Sequence, residues 1–430
     1  MKYYSTNKQS PVVDFKQAAI AGQAPDKGLY FPEYLPQVSH DLIKNIESLS
    51  NENIAYEVIK PYVGNIIPDD VLRQIVAETV NFSIPLKQVT ETISSLELFH
   101  GPTLAFKDIG ARFMSRCLGY FLKDETKKVT VLVATSGDTG GAVANGFYGV
   151  EGVEVVILYP SGKVSAVQEK QLTALGGNIH ALEVHGSFDD CQGLVKEAFA
   201  DEALRNQIFL TSANSINVAR WLPQQFYYFF AYKQWIDKTK PPVVAVPSGN
   251  FGNICAGILA KQSGLPLQHF IAACNVNDVV TPYLQTGNWQ SKKSVATLSN
   301  AMDVANPSNF VRVLEIFNKQ FNEVRANLSS ATISDAETET TIKRVYEQNG
   351  YLLDPHGAVG YLALEQYILK NGGSGMFLET AHPVKFPDAV ERITGKAVTI
   401  PDNVKSIMDA AKKSVQMDVS YEKLKEFLLK

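Results

Sequence analysis

The sequence is poor in the residues that stabilise small secreted domains and metal-bound domains. Only four cysteines occur among 430 residues, and no Cys-x-x-Cys pair is present. This spacing offers neither a disulfide framework nor the paired ligands of a zinc site. We therefore expect no structural metal. The four cysteines are Cys117, Cys191, Cys255 and Cys274.

Long apolar runs and an excess of one charge are also missing. No run approaches the roughly 20 apolar residues that cross a bilayer, and the first fifteen residues lack the apolar core of a signal peptide. The 40 basic and 44 acidic residues give a net charge of −4, without long runs of one sign. We therefore expect a cytoplasmic protein that binds neither membranes nor nucleic acid.

The chain is longer than the roughly 250–300 residues at which one hydrophobic core stops growing, so we expect two or three subdomains. Residues 1–95 carry no glycine loop and favour helices, such as one over Val71–Asn81. From about residue 96, short β-branched runs alternate with helical segments. Val129–Val133, Val153–Leu158 and Val243–Val246 are typical of buried strands. This alternation predicts an α/β fold with parallel sheets wrapped by helices.

A single lysine closes the segment Phe99–Asp108, FHGPTLAFKD. Gly101-Pro102 predicts a turn, and Asp108 stands where the N-cap of the following helix is expected. Lys107 would then lie at the positive end of a helix among apolar groups, and both effects lower the pKa of an amine. A Schiff-base lysine requires such a pKa. The alternative is an ordinary lysine whose stem packs at a helix start while its amine reaches solvent.

Two glycine-rich turns each follow a predicted strand and precede a predicted helix. They are Ala134–Ala142, ATSGDTGGA, and Val246–Asn253, VPSGNFGN. Such turns direct backbone N–H groups at one spot, which suits an anion. Neither turn matches a Walker A loop or the dinucleotide fingerprint. A tight turn that needs glycine for backbone reasons is the alternative for each.

Two polar segments stand in apolar surroundings. Asn214–Arg220 offers amides, a hydroxyl and a guanidinium, which are groups that bind phosphate or carboxylate. Leu378–Pro383 ends a short strand with Thr380 and then His382. A capping threonine and a core histidine are the alternatives there. The aromatic-rich stretch from Asn214 to Lys240 predicts a buried helix.

Several of these motifs, in this order and spacing, closely resemble the threonine synthases. The segments are FHGPTLAFKD, ATSGDTG, SGNFGN and ETAHPVKF, together with 28–33, 273–278, 301–310 and 354–364. The resemblance extends from near residue 28 to near residue 390, and it is greatest to the bacterial and fungal branch. It implies the fold-type II pyridoxal 5'-phosphate (PLP) architecture, similar to the tryptophan synthase β subunit. Two parallel-sheet subdomains and a helical amino-terminal region are then expected.

The resemblance also implies roles for individual residues. Lys107 would carry PLP and move protons, the loop 248–253 would wrap the cofactor phosphate, and Thr380 would meet the pyridine nitrogen. Asp138 would face the ring oxygen, where many relatives have asparagine. The implied cofactor-binding residues are Lys107, Asp138, Ser248, Gly249, Asn250, Phe251, Gly252, Asn253 and Thr380. The implied substrate-binding residues are Thr135, Ser136, Gly137, Thr139, Ser215, Asn217 and Arg220.

The reaction that the resemblance implies converts O-phosphohomoserine and water into threonine and phosphate, by γ-elimination and then β-addition. We expect residues 1–95 to form the amino-terminal region and residues 96–430 the catalytic domain, with a smaller subdomain at about 115–215. A monomer or a homodimer is expected. The alternatives are another fold-type II enzyme such as a dehydratase or a cysteine synthase, a PLP-binding phospholyase or regulatory relative, and a nucleotide-binding α/β protein.

Overall fold

The computed structural model describes residues 1–123 and 128–430. The strands of that part are β1 Tyr3–Ser5, β2 Tyr30–Pro32, β3 Leu86–Gln88, β4 Ile93–Glu97, β5 Val129–Ala134, β6 Val153–Pro160, β7 Ile179–Val184, β8 Phe209–Thr211, β9 Val243–Pro247, β10 His269–Cys274, β11 Leu328–Thr332, β12 Gly375–Glu379 and β13 Ser414–Met417.

The α-helices are α1 Phe15–Ala21, α2 His40–Lys44, α3 Asn51–Val63, α4 Asp69–Thr79, α5 Lys107–Leu122, α6 Asp138–Phe147, α7 Ala166–Thr173, α8 Phe188–Ala200, α9 Glu202–Gln207, α10 Val218–Trp221, α11 Gln225–Gln234, α12 Gly252–Gln262, α13 Val280–Thr286, α14 Phe310–Ile316, α15 Phe321–Asn327, α16 Asp335–Asn349, α17 Pro355–Asn371, α18 Pro387–Thr394, α19 Asp402–Met408 and α20 Tyr421–Leu428. Short 3-10 helices occupy Ile46–Ser48, Leu222–Gln224, Asn300–Met302 and Pro383–Lys385.

Two larger sheets organise the molecule. The six-stranded sheet has the order β11-β10-β9-β12-β4-β3, and its strands are parallel except β3 at one edge. The five-stranded sheet has the order β13-β7-β6-β5-β8, and all of its strands are parallel. Helices separate successive strands in the chain, which is the connection that parallel neighbours require. The predicted α/β fold with two parallel-sheet subdomains is confirmed.

The strands are apolar on both faces because helices cover both sides of each sheet. In β9, Val243, Val244, Ala245 and Val246 have no exposed surface. The aromatic stretch is buried as predicted, but it is not one helix. A 3-10 turn at Leu222–Gln224, which contains Pro223, separates α10 from α11, because proline cannot donate the helical hydrogen bond.

The amino-terminal region is mainly helical, and α4 lies over Asp69–Thr79 where a helix over Val71–Asn81 was predicted. The expected boundary at residue 95 falls inside β4, whose residues 93–97 pair with β12 in the six-stranded sheet. The strands β3 and β4 are therefore part of the six-stranded sheet.

The five-stranded sheet is formed by two separate parts of the chain. Four strands of this sheet lie in the expected range 115–215, but the fifth, β13, comes from the carboxy-terminal end and pairs with β7. Met417 on β13 and Leu424 and Leu428 on α20 pack with the apolar residues of this sheet. The last residues of the chain thus complete the smaller sheet.

In the described part of the chain, no helix is long and apolar enough to cross a membrane.

Candidate active site

Three neighbouring strands of the six-stranded sheet end in the segments that the sequence singled out. Ser248 follows β9, Thr380 follows β12, and the segment that leads to Lys107 follows β4. The order β9-β12-β4 places these strands side by side, and all three are parallel. Their carboxyl ends therefore meet at one edge of the sheet, which is where open α/β sheets bind ligands.

Lys107 is the first residue of α5, so the predicted lysine at a helix start is found. The predicted N-cap is wrong: Phe106 precedes the helix, and Asp108 lies in its first turn. The carboxylate of Asp108 instead accepts hydrogen bonds from Thr103 N at 3.0 Å and Thr103 Oγ1 at 2.5 Å. Asp108 thus fixes the turn that leads into the lysine.

Burial lowers the pKa of Lys107 below its ordinary value, and the positive charges of Lys385 and Arg220 lower it further. Asp138 acts in the opposite direction, because its carboxylate favours the charged amine. Lys107 Nζ lies 3.7 Å from Asp138 Oδ2. The side chain of Lys107 is only 15% exposed. The amine is thus held in the interior, as a nucleophilic lysine requires.

Lys385 is a second lysine at this point, and the sequence patterns did not single it out. Its side chain has no exposed surface, and its Nζ lies 2.7 Å from Asp138 Oδ1. Lys385 Nζ also donates to the carbonyl of Thr103 at 2.9 Å. Gln168 on α7 completes the surroundings of Asp138 by donating to Oδ1 at 3.0 Å. Burial acts to raise the pKa of Asp138, but Lys385 and Lys107 hold it below its usual range.

The loop after β9 leaves a row of backbone donors free. The N–H groups of residues 249–253 donate no hydrogen bond to any residue within the ranges 1–123 and 128–430. Phe251 adopts a left-handed φ of 61°, and α12 begins at Gly252. A Cβ at Gly249 would lie 2.7 Å from Met302 Cα, so only glycine fits there. Free amides at a helix start form an anion site.

The loop after β5 has the same sequence character but different hydrogen bonds. The hydroxyl of Thr135 accepts from Gly137 N and Gly140 N, both at 2.9 Å. Gly137 has a φ of 133°, and a Cβ there would lie 2.5 Å from Gln168. Ser136 and Thr139 flank Asp138 and are half-buried. This loop thus presents the Asp138 carboxylate to Lys107.

Thr380 is buried and joined to the segment that carries Lys107. Its carbonyl accepts from Phe106 N at 2.9 Å, and Ala381 forms an isolated bridge with Ala105. The hydroxyl of Thr380 forms no hydrogen bond with another residue of the described part. His382 lies two residues further, and its Nδ1 accepts from Val384 N at 3.1 Å. Burial lowers the pKa of His382 to about 4.

The segment Asn214–Arg220 lies against the loop after β9. Ser215 Oγ accepts from Asn250 Nδ2 at 2.7 Å and from Asn309 Nδ2 at 3.1 Å. Asn217 is fully buried, caps α10 and donates to Ala19 O at 2.8 Å. Its polar groups are thus occupied by the protein, which does not match the expected contact with substrate.

Arg220 and Arg312 are buried guanidiniums that form no salt bridge with a carboxylate of the described residues. Burial lowers the pKa of Arg220 to about 10 and that of Arg312 to about 9. Arg220 Nε has no hydrogen-bond partner in that part of the chain. Arg312 donates to Tyr30 O and Asn309 Oδ1 and stacks on Trp221 at 4.4 Å. Sequence patterns missed Arg312, because two of its partners, Tyr30 and Trp221, lie far from it in the chain. Two uncompensated charges near this segment suit an anionic ligand.

These residues fit PLP in their chemistry. Lys107 offers a buried amine of lowered pKa, and residues 249–253 offer five free amides for a phosphate. Thr380 offers a free hydroxyl rather than a carboxylate. In the described residues no group of His, Cys, Asp and Glu side chains could hold a metal ion.

Models of three protein families match the chain. The model described as pyridoxal-phosphate dependent enzyme matches residues 91–375. The threonine synthase N terminus matches residues 2–80, and the threonine synthase C-terminal model matches residues 357–428.

Full-length relatives agree with these matches. The chain is 45% identical to a threonine synthase of Haemophilus influenzae over the whole of both chains. The crystal structure of the Escherichia coli threonine synthase is 43% identical, with a TM-score of 0.92 over 100% of this chain and 99% of that one. The PLP-bound threonine synthase of Brucella melitensis is 36% identical, with a TM-score of 0.94 over the same shares.

Proposed function

The chain belongs to the threonine synthase family of pyridoxal-phosphate-dependent enzymes, and we propose that the residues around Lys107 perform its reaction. The chain is an enzyme of threonine biosynthesis that uses pyridoxal phosphate. We propose that its substrate is O-phosphohomoserine, which it converts with water into threonine and phosphate. The observation that carries the proposal is the buried amine of Lys107 at the same edge of the six-stranded sheet as a loop with five free amides.

Lys107 has two roles in this proposal. It bonds covalently to the cofactor, and in its free form it moves protons between the substrate carbons. When bound, pyridoxal phosphate supplies an electron sink for the bond pair that the substrate's α-carbon releases. The lowered pKa of Lys107 keeps part of its free amine uncharged and thus able to accept a proton.

The six-stranded sheet holds the cofactor at both ends. The amides of Gly249, Asn250, Phe251, Gly252 and Asn253 donate to its phosphate, with the dipole of α12 in support. Ser248 positions this loop, because its N–H donates to Ala273 O and its hydroxyl to Val246 O. The hydroxyl of Thr380 would hold the pyridine nitrogen, and Asp138 would face the cofactor from the other sheet.

The substrate is held between the two sheets. The loop with Ser136, Gly137 and Thr139 binds its α-carboxylate, and Thr135 fixes the shape of that loop through its two amide contacts. Arg220 and Ser215 bind the substrate phosphate, because Arg220 is a buried cation with a free Nε. Asn217 positions Arg220 by capping α10.

The same proposal extends to the subdomains, the oligomeric state and the cell compartment of the protein. We propose an amino-terminal region, a larger subdomain around the six-stranded sheet and a smaller subdomain around the five-stranded sheet. The protein acts as a monomer or homodimer in the cytoplasm, without nucleic acid or a membrane as partner. The four cysteines are buried and unpaired, which suits a reducing compartment. Sedimentation and cell fractionation test these statements.

The function is tested by measuring phosphate release from O-phosphohomoserine and the appearance of threonine. Serine, threonine and O-acetylserine serve as rival substrates, because dehydratases and cysteine synthases use the same cofactor chemistry. Equal amounts of phosphate and threonine are expected, with little ammonia from serine. Phosphate release without threonine would indicate a phospholyase, and deamination of serine as the main activity would contradict the proposal.

A further inference from the structure

Asp138 lies between two lysines that come from different elements. Lys385 Nζ is 2.7 Å from Asp138 Oδ1, and Lys107 Nζ is 3.7 Å from Asp138 Oδ2. Lys385 has no exposed surface, and the side chain of Asp138 is only 6% exposed. A buried carboxylate needs a partner of opposite charge and hydrogen bonds to stay ionised. Lys385 supplies the closer of the two contacts.

Lys107 cannot balance the charge of Asp138 at every stage. In the proposed function its amine is bonded to the cofactor at one stage and free at another, so its charge changes. Lys385 has no such covalent role, and its ammonium is also held by Thr103 O at 2.9 Å. A positive charge therefore remains beside Asp138 when Lys107 loses its own.

The other groups around this pair do not replace Lys385. Asp108 is a second carboxyl that interacts with Lys385, but burial raises its pKa, and its oxygens accept hydrogen bonds from Thr103. His382 follows the same strand as Lys385, and burial lowers its pKa to about 4, so it is neutral near pH 7. Gln168 contributes only a neutral amide. Lys385 is thus the constant cation that faces Asp138.

We propose that Lys385 is a positioning residue that keeps Asp138 ionised throughout turnover. The carboxylate of Asp138 can then pair with the amine of Lys107 each time the cofactor releases that amine. The inference rests on the proposed function of Lys107. The aspartate needs no proton, because Lys385 compensates its charge.

The experiment compares four variants with the unchanged enzyme loaded with pyridoxal phosphate. Lys385→Gln removes the charge and keeps a polar side chain, and Lys385→Arg keeps the charge. Asp138→Asn removes the partner, and the double variant removes both. The first readout is the absorbance of the bound cofactor as a function of pH without substrate. The second is the pH dependence of kcat.

Removal of Lys385 should raise the pKa of Asp138. Asp138 is ionised above its pKa, so activity should be lost at a higher pH as the solution is acidified. The acid limb of kcat for Lys385→Gln should move upward by about one to three pH units, with a matching step in the cofactor absorbance. In Lys385→Arg, the acid limb of kcat should lie closer to the pH of the unchanged enzyme than in Lys385→Gln. The double variant should show no such limb and should be no slower than Asp138→Asn alone.

Two results would overturn the inference. One is a loss of activity in Lys385→Gln that is equal at all pH values, with an unchanged absorbance titration. The other is a double variant whose loss is the product of the two single losses, because Lys385 would then act independently of Asp138. If Lys385→Gln does not fold, the double variant decides: recovery of folding supports the pairing, and no recovery contradicts it.

Lys396→Gln is the matched control, since Lys396 is an exposed lysine of the same carboxy-terminal part. It should leave both pH curves unchanged. The absorbance titration needs no substrate, so it tests Lys385 even if O-phosphohomoserine proves not to be the substrate. A wild-type enzyme that binds the cofactor but releases no phosphate would contradict the proposed function, not this inference.

Discussion

The two glycine-rich loops of this molecule look alike in sequence and differ in their hydrogen bonds. Each follows a buried strand and opens a helix. In the loop after β9, the amides of residues 249–253 are free of protein partners in the described chain. In the loop after β5, the hydroxyl of Thr135 accepts hydrogen bonds from Gly137 N and Gly140 N. The first loop leaves five consecutive amides free for an anion, whereas in the second loop a side chain of the loop itself accepts hydrogen bonds from two of the amides.

The difference indicates that the two sheets have different roles in the site. The six-stranded sheet supplies Lys107, the open loop and Thr380, which together can hold a cofactor. The five-stranded sheet supplies the carboxylate of Asp138 on a loop of fixed shape. Cofactor binding is therefore expected to depend mainly on the first sheet, and the charge around the reacting amine on the second.

The largest effect is expected for Lys107→Ala, because Lys107 is the proposed attachment point of the cofactor. The variant loses both the covalent link to the cofactor and the group that moves protons, so kcat should fall by about 10⁴-fold or more. Phosphate release from O-phosphohomoserine measures this. Activity within tenfold of the unchanged enzyme would contradict the assignment.

Gly249→Ala should damage the open loop specifically. The added Cβ would lie 2.7 Å from Met302 Cα and 2.9 Å from Ala301 O, so the loop must shift and its amides lose their alignment. Overpacking of this kind costs roughly 1–3 kcal/mol, which corresponds to cofactor binding weakened roughly tenfold to a hundredfold. Equilibrium dialysis or fluorescence titration gives the dissociation constant.

Gly193→Ala is the control for that substitution. Gly193 lies on α8 beside the five-stranded sheet, and a Cβ there meets no atom within 4 Å. Alanine favours the helix, so stability should be equal or up to about 1 kcal/mol higher, with unchanged cofactor affinity. Equal losses of affinity in both variants would mean that the loop geometry is not responsible.

Thr135→Val should damage the closed loop instead. It leaves the N–H groups of Gly137 and Gly140 without their acceptor, which costs about 1–3 kcal/mol for each group that stays buried and unpaired. Chemical denaturation measures the loss, and Thr135→Ser should recover most of it. The cofactor dissociation constant should change by less than that of Gly249→Ala. A larger change of the cofactor dissociation constant in Thr135→Val than in Gly249→Ala would contradict the different roles of the two loops.

Acid should lower the free energy of unfolding through the protonation of His269, which lies on β10 of the six-stranded sheet. Burial lowers its pKa from 6.5 to about 4, so the unfolded chain binds a proton that the folded protein does not. The stabilising effect is complete above pH 6.5 and is lost as the pH falls towards 4. This amounts to roughly 2–3 kcal/mol. His269→Gln should flatten the pH dependence of unfolding in that window. An unchanged slope would contradict this.

The sequence predicted features whose causes are local. Lys107 follows a Gly-Pro turn within one short segment, and the loops 134–142 and 246–253 directly follow apolar strands. The carboxyl ends of parallel strands then bring such segments together without further information. The family resemblance added the cofactor and the reaction, which local patterns had left open.

Features that depend on distant partners were missed. Lys385 is recognisable only when the five-stranded sheet places Asp138 against it. A local prediction also failed: Asp108 was expected to cap α5, but the N–H and hydroxyl of Thr103, five residues earlier, donate to its carboxylate instead. β13 is a four-residue strand at the carboxy-terminal end, and its pairing with β7 leaves no local pattern.

The central claim is that Lys107, and not Lys385, carries the cofactor. Both amines lie within 4 Å of Asp138, so proximity alone does not separate them. Borohydride reduction of the protein loaded with pyridoxal phosphate, followed by peptide mass mapping, distinguishes the two. One pyridoxyl group per chain is expected on the peptide that contains Lys107. A pyridoxyl group on the peptide with Lys385, or on neither, would contradict it.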